Sequence, residues 1–319
     1  MRVLVAGATS VLGMPVLRAL ADRGHTVIGV TRSPQSASAI ARAGAKPVVA
    51  DVLQRHELSR TIAAERPEAV VSLLITLPKR GPMWVRDFRR TRRLWSEGVP
   101  NLLQAATAAG VRRFVAESVI FAYGFGQSGP EPVEEAQPAE LGGVVRGQQG
   151  IIDDLRAMER AVLRAGDAGV EAVVLRYGLF HGTGVPSSEL MARMLRLRML
   201  SLPGGGRGIL SWIEIGDAVN ATVAALERGP ADEIYNIVDE EPVGYGDYAR
   251  EFATALGARA PLSIPVWLAR RTVPHAATML SYTRLPVSNQ KAKRELDWAP
   301  ACATYRDAIR QFASSRAGG

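Results

Sequence analysis

The sequence predicts an α/β protein: a doubly wound parallel sheet of the dinucleotide-binding type, with a smaller C-terminal substrate-binding domain. Three observations carry that expectation. Apolar runs without polar alternation ("RVLVA", "TVIGVT", "KPVVADV", "EAVVSLLIT", "RRFVAES" and "EAVVLRY") recur through the first half of the chain, as strands buried on both faces do. Stretches of helical periodicity such as "MPVLRALADRGH" and "ELSRTIAAER" separate them, so strands and helices alternate as parallel crossovers require. A glycine turn, "AGATSVLG", closes the first strand and opens the first helix, which is where this architecture receives a phosphate.

At that turn Gly7 permits the tight bend and Gly13 lets helix and strand pack closely. The N–H groups around Thr9, Ser10, Val11 and Leu12 are expected to face a pyrophosphate. Ser10 stands at the motif's middle glycine position, where its hydroxyl can donate but its β-carbon holds the backbone further off. The second strand ends in Thr31 and Arg32 rather than in the Asp or Glu that would accept from a 2′-hydroxyl. Arginine suits a 2′-phosphate, so NADPH/NADP+ is the expected cofactor. Asp51, followed by Val52, is placed for the adenine edge, with a turn cap as the alternative. Leu74 and Thr76 after the fourth strand, Ser118 on the fifth, and Tyr177, Gly178 and Leu179 ending the sixth complete the expected lining. A helix is expected over 87–109, before the fifth strand.

After Gly178 the alternation breaks. "SSELMARMLRLRML" reads as an amphipathic helix, followed by the loop "PGGGRG", the strand "LSWIEI", a helix at "GDAVNATVAALE" and a strand at "EIYNIVD". "YGDYAREFATALG" and "NQKAKRELDW" are shorter helices. The expected division is a cofactor domain of 1–178 plus 216–238 and a substrate lid of 179–215 plus 239–319.

Composition narrows the function classes. No apolar run reaches the length of a membrane span, and the opening "MRVLVAGATS" has no secretory h-region. Cys302, the single cysteine, excludes an internal disulfide and fits a reducing cytoplasm. His25, His56, His181 and His275 are scattered, so no metal site is expected. The net charge of +8 comes with only Lys46, Lys79, Lys291 and Lys293 among 39 basic residues. A bias that uniform toward arginine reads as genome composition rather than a nucleic-acid surface. The dense cluster Arg86, Arg89, Arg90, Arg92 and Arg93 is either a solvated helix face or a rim attracting an anion. A small-molecule substrate and a monomer or homodimer are expected.

The motifs "AGATSVLG", "ADV", "GVPNLLQAA", "RRFVAESVIFAYG", "VVLRYGLFHGTG", "WIEIGDAV" and the closing "NQKAKRELDWAP" together resemble the extended short-chain dehydrogenase/reductases, also called the NAD-dependent epimerase/dehydratase family. That resemblance implies a catalytic Asn, a Ser or Thr, and a Tyr-x-x-x-Lys pair. In this chain those positions hold Trp95, Val119, Ile151 and Leu155. None of the tyrosines is followed by lysine four residues on, and the nearest approach is Tyr177 with His181. In the family the lysine lowers the tyrosine's pKa and the tyrosine exchanges a proton with the substrate oxygen, which is acid–base help of about 10²–10⁴-fold. Ile151 and Leu155 can do neither; they can only dry the pocket and hold donor and acceptor in line.

Three readings follow. In the first, the chain is a ketoreductase whose substrate carries its own proton source, such as a polycyclic aromatic ketone beside a phenolic hydroxyl. It then resembles triad-lacking ketoreductases of angucyclinone antibiotic biosynthesis. Val119, Ile120, Tyr123, Ile151, Phe180, Met191 and Met194 would line its aromatic slot, although plain core packing also explains the methionines. In the second, Ser118 or an auxiliary Tyr123 replaces the missing acid. In the third, the chain is a non-catalytic NADP-binding sensor. A redox-neutral isomerase or cyclase also fits the cofactor motifs.

Overall fold

The computed structural model describes residues 1–136 and 140–317. Arg2–Ala6 (β1), Thr26–Thr31 (β2), Lys46–Val49 (β3), Ala69–Ser72 (β4), Arg113–Val119 (β5) and Glu171–Tyr177 (β6) are the six apolar runs of the sequence. Leu179–His181 (β7), Ser201–Pro203 (β8), Ile209–Leu210 (β9), Trp212–Glu214 (β10) and Glu233–Ile237 (β11) follow. β11 joins the first six in a seven-stranded sheet of order β11-β6-β5-β4-β1-β2-β3, parallel throughout. The order reverses between β1 and β4, the switch point at which such sheets open a ligand crevice.

Helices cover both faces. On one, Gly13–Asp22 (α1), Ala37–Arg42 (α2) and Ile215–Arg228 (α8) pack Val16, Leu17, Ile40 and Val219 against Val5, Val71, Leu175 and Tyr177. On the other, Arg55–Glu65 (α3), Val99–Ala108 (α5) and Gln148–Leu163 (α6) pack Leu58, Leu102, Ile152 and Leu155 against Leu4, Val70 and Phe114. The helix expected over 87–109 is interrupted. A 3₁₀ turn at Val85–Phe88 and a short helix, Arg89–Arg93 (α4), lead into a π turn at Leu94–Gly98 before α5 begins. Pro100 lies in the first turn of α5. It has no N–H to give the carbonyl of Ser96 and its ring crowds that carbonyl, and the widened turn absorbs the conflict.

The remaining segments carry a third apolar cluster. Pro186–Arg196 (α7) and Tyr245–Ala255 (α9) bring Met191, Leu195, Tyr248 and Phe252 together with Trp212. Val243–Gly244 (β12) pairs with β9, Leu262–Ile264 (β13) with β8, and β10 with β7. Val266–Thr272 (α10), Pro274–Ser281 (α11), Gln290–Glu295 (α12) and Tyr305–Ala317 (α13) complete the chain. Of these only α12 is expected from periodicity. The helices α10 and α11 are too short and proline-bounded to show a full amphipathic stripe. No helix among the described residues is long and apolar enough to cross a membrane.

Candidate functional site

The first strand, turn and helix form a tight cradle. Gly7 has φ +83°, and a β-carbon there would come 2.1 Å from the Leu73 carbonyl oxygen of the neighbouring strand's end. A β-carbon at Gly13 would come 2.3 Å from the Gly7 oxygen. Both glycines are therefore demanded by packing before any ligand arrives. The Ser10 N–H donates to Gly7 O at 2.9 Å and Ser10 Oγ accepts from Gly13 N–H at 2.9 Å, leaving the hydroxyl proton free. Leu12 at the start of α1 has no side-chain cap. Thr9 and Val11 are exposed beside it, so the helix opening presents donors to whatever occupies the crevice.

Farther along, Arg32 is exposed at the end of β2 and makes no hydrogen bond or ion pair among the described residues. Asp51 gives one oxygen to the Leu53 N–H at 3.0 Å, which is the turn cap, and keeps the other free. Val52 is buried, and its carbonyl accepts from Asn101 at 3.0 Å. Leu74 is buried; Thr76 is tied to Thr91, its N–H donating to Thr91 Oγ1 at 3.1 Å. Free donors and a cradle that a side chain would fill together fit a nicotinamide dinucleotide, and the Arg32 guanidinium is unpaired among the described residues.

The opposite end of the crevice is apolar. Val119, Leu179 and Phe180 are half-buried at the strand ends beside Gly178, while Ile151 and Leu155 on α6 and Trp95 in the π turn are buried in the α6-side core and, like Ile120, line no open slot. A β-carbon on Gly178 would press on the Ser211 and Trp212 backbone at 2.8–3.0 Å. Trp95, Val119, Ile151 and Leu155, the four positions expected from the resemblance, carry no group able to exchange a proton.

Several expected site residues turn elsewhere. Ser118 is fully buried, and its hydroxyl donates to Glu159 Oε1 at 2.5 Å, while Arg176 clasps the same carboxylate at 2.8 and 2.6 Å. That buried pair lies on the α6 face of the sheet, so the Ser118 side chain is a structural donor and not a ligand group. Tyr123 is also a correction. Its hydroxyl donates to Asn236 Oδ1 at 3.0 Å and the Arg176 guanidinium lies 4.6 Å from its ring centroid, so it is a core tyrosine with no reach into the crevice. Ile120 is fully buried in the α6-side core, and Met191 belongs to the third cluster, so neither lines an open slot. Met194, on the same helix as Met191, is half-buried. Tyr177 and His181 form no relay. Tyr177 shares a 2.7 Å bond with Thr222, and His181 packs at a tilt against the stacked rings of Trp212 and Tyr248, where burial drives it down to about 3.

The arginine cluster divides as well. Arg92 pairs with Asp154 at 2.5 Å, Arg93 with Glu97, and Arg86 lies over the Trp84 ring, while Arg89 and Arg90 are solvated.

Other buried polar groups lie near this end and were not anticipated. Glu117, two residues before Val119 on β5, is 7% exposed, and its Oε2 has no partner among the described residues. Burial raises it to about 8, partly offset by the Ile75 backbone after β4. An acidic residue inside the otherwise apolar run "RRFVAES" was the available signal. His275 is fully buried between the rings of Phe88 and Phe125. Gln148 Oε1 accepts from the N–H groups of Val144 and Val145 at 2.8 and 2.9 Å. The Gln148 amide nitrogen must then donate to His275 Nδ1, 3.0 Å away, which puts the imidazole proton on Nε2. That Nε2 has no partner among the described residues, and burial lowers the ring to about 4. Trp95 Nε1 is likewise unpaired. Only the third dimension brings α11 to α6, so His275 had no sequence signal. A separate cleft of about 780 Å³, between Gly204, Arg207, Arg250 and Val266, contains none of the expected site residues.

Comparison with known proteins agrees with the fold. The sequence pattern of the NAD dependent epimerase/dehydratase family matches residues 3–238. A 3-diazoavenalumate denitrifying reductase from a Streptomyces species is 35% identical, covering 97% of this chain and 99% of its own. The 4-hydroxy-2-methyl-3-oxo-4-farnesyl-3,4-dihydroquinoline-1-oxide ketoreductase of Stigmatella aurantiaca is 26% identical over 98% of this chain and 96% of its own. In structure, the Thermus thermophilus UDP-glucose 4-epimerase, solved with NAD, superimposes with a TM-score of 0.80 at 21% identity, covering all of both chains.

Proposed function

The chain belongs to the NAD-dependent epimerase/dehydratase family, and from that premise we propose that it is a nicotinamide-dependent reductase whose acceptor needs no proton from a protein side chain. The observation that carries the reading is the burial of Ile151 and Leu155 at the positions of the missing Tyr and Lys. The best-supported acceptor is a diazo-bearing organic acid in its diazonium form, because the 35%-identical relative is named for a diazo substrate and for removing nitrogen. The chemistry balances without an acid. Hydride forms a C–H bond, the C–N bond breaks, dinitrogen leaves with that electron pair, and the charges of hydride and diazonium cancel.

A reduced nicotinamide dinucleotide bound here would supply the hydride. Around it, the Val11 and Leu12 N–H groups and the Ser10 hydroxyl would hold the pyrophosphate and the free Arg32 would take a 2′-phosphate, so NADPH is the reductant of this reading. Val119 and Leu179, half-buried and packed against the core cluster of Ile151, Leu155 and Trp95, would keep water from the acceptor. That exclusion has a purpose here, since water would capture a diazonium before hydride did.

A second reading is supported by the 26%-identical ketoreductase: a ketone, of the polycyclic aromatic polyketide kind, whose neighbouring hydroxyl stabilises the developing alkoxide. The sensor reading loses ground to two relatives named as reductases.

The test offers the protein NADPH deuterated at the transferred position with an ortho-hydroxyaryl diazonium acid, a hydroxylated polycyclic ketone and a simple ketone. Deuterium at the carbon that carried nitrogen, with dinitrogen released, is the expected result. Turnover of the hydroxylated ketone alone replaces the diazo reading with the second. Turnover of simple ketones overturns both, because it demands a proton source from the protein.

A further inference from the structure

We propose that Glu117 is the charge sensor of the nicotinamide end of the crevice: neutral while the pocket is empty or holds the reduced cofactor, and ionised under the oxidised, cationic one. The inference rests on the nicotinamide reading but not on the identity of the acceptor.

Register places Glu117 beside Leu175 and Val119 beside Tyr177. Leu175 and Tyr177 belong to the layer under α1 and α8, so Glu117 faces the side of the sheet on which α1 opens the phosphate cradle. Its carboxyl lies at the C-terminal end of the strand, one β-step below Val119, against the Ile75 backbone that follows β4. A buried carboxyl oxygen without a partner is costly, and sheets of this topology bind their ligand at this edge. An orphaned acceptor on this face, near the sheet's ligand-binding edge, is accounted for if its partner arrives with the ligand.

The groups around it leave no alternative partner among the described residues. From β6, Tyr177 faces it, but that hydroxyl is held by Thr222 of α8 and burial keeps it protonated. Arg176 and Glu159 satisfy each other on the opposite face. The β4 loop contributes only backbone, and no charged side chain is among the causes that set Glu117's titration. Burial alone holds it neutral at physiological pH. A positive ring brought alongside would reverse that balance, since opposite charges within about 6 Å favour the ionised form by one to three pH units. The step is a simple exchange: the carboxylic acid loses its proton to solvent as the cation binds, and nothing else is made or broken.

Two measurements test it. NADP+ and NADPH are titrated separately into the full chain between pH 6 and 9, and the ratio of their dissociation constants is followed. The 2′-phosphate titrates alike in both and cancels. For the native protein the ratio of NADP+ to NADPH dissociation constants is expected to fall with rising pH, on the order of tenfold across the range. For Glu117→Gln it is expected to stay flat while both ligands still bind. In the unaltered protein at pH 7, calorimetry in two buffers of different ionisation enthalpy is expected to show proton release on binding NADP+ and none on binding NADPH. This second measurement stands even if the variant misfolds. Binding of both dinucleotides with a flat ratio and no proton release overturns the role of Glu117 and leaves the reductase reading intact. Failure of either dinucleotide to bind overturns both.

Discussion

Arg32 and Tyr123 are both polar side chains beyond strand ends, and their surroundings assign them opposite uses. Arg32 is exposed and unpaired, so its charge is available to an incoming phosphate. Arg32→Ala is expected to weaken NADPH binding about tenfold or more, the worth of a charge-assisted hydrogen bond, and to leave NADH within about twofold. Titration of both dinucleotides checks it, and equal losses would assign Arg32 to the shared part of the molecule. Tyr123 already spends its hydroxyl on Asn236 inside the core. Tyr123→Phe should therefore leave single-turnover hydride transfer within about twofold while lowering unfolding free energy by about 1 kcal/mol. A large rate loss at unchanged stability would return Tyr123 to the chemistry. The sequence could not separate these two residues, because their difference lies in neighbours that come from distant elements.

At the scale of elements, α6 carries Ile151 and Leu155 where the family resemblance would put a Tyr and a Lys. Ile151 and Leu155 are not isolated substitutions on an open helix face. They belong to the same core layer as Phe114, Leu102 and Val70, and Leu155 is fully buried. Leu155→Lys is expected to cost at least about 3 kcal/mol in urea unfolding at pH 7, since an unpaired ammonium would be taken out of water. Introducing Ile151→Tyr beside it should not recover family-type chemistry. A stability change below about 1 kcal/mol would mean that this helix face is wet. The periodicity of α6 was legible, and so were all six early strands, because each is an uninterrupted apolar run with one available role. The π turn was not, since its cause, Pro100, acts on a carbonyl one turn earlier. Likewise α10, α11 and α13 owe their stability to partners that sequence spacing does not reveal.

The whole molecule carries opposing titrations. Glu117 and Asp239 are both raised by burial to about 8. For each, the folded state holds a proton that the unfolded chain releases near pH 4–4.5. The stability they confer is complete below that point and is lost as pH climbs to about 8. His275 and His181 are lowered to about 4 and about 3, so their contribution is complete above pH 6.5 and is lost as pH falls toward those values. Between about pH 4.5 and 6.5 the two pairs offset each other, so the melting temperature of the unliganded protein is expected to be level there and to decline from about pH 6.5 to 8, and Glu117→Gln should flatten that alkaline limb. A melting temperature rising steadily from pH 6 to 8.5 would contradict the burial of these carboxyls. The strand–turn–helix around Gly7 was readable from the glycine turn, whereas His275 becomes conspicuous only when its missing partner can be counted.

The packing of Gly7 against the Leu73 carbonyl changes how mutants of the fingerprint should be interpreted. A variant with any side chain at position 7 loses the seam between two central strands before it loses a nucleotide. Its inactivity would be a statement about folding, and it makes a poor negative control for binding. Exposed Arg32, which supports nothing around it, is the position at which an inactive variant speaks about the ligand.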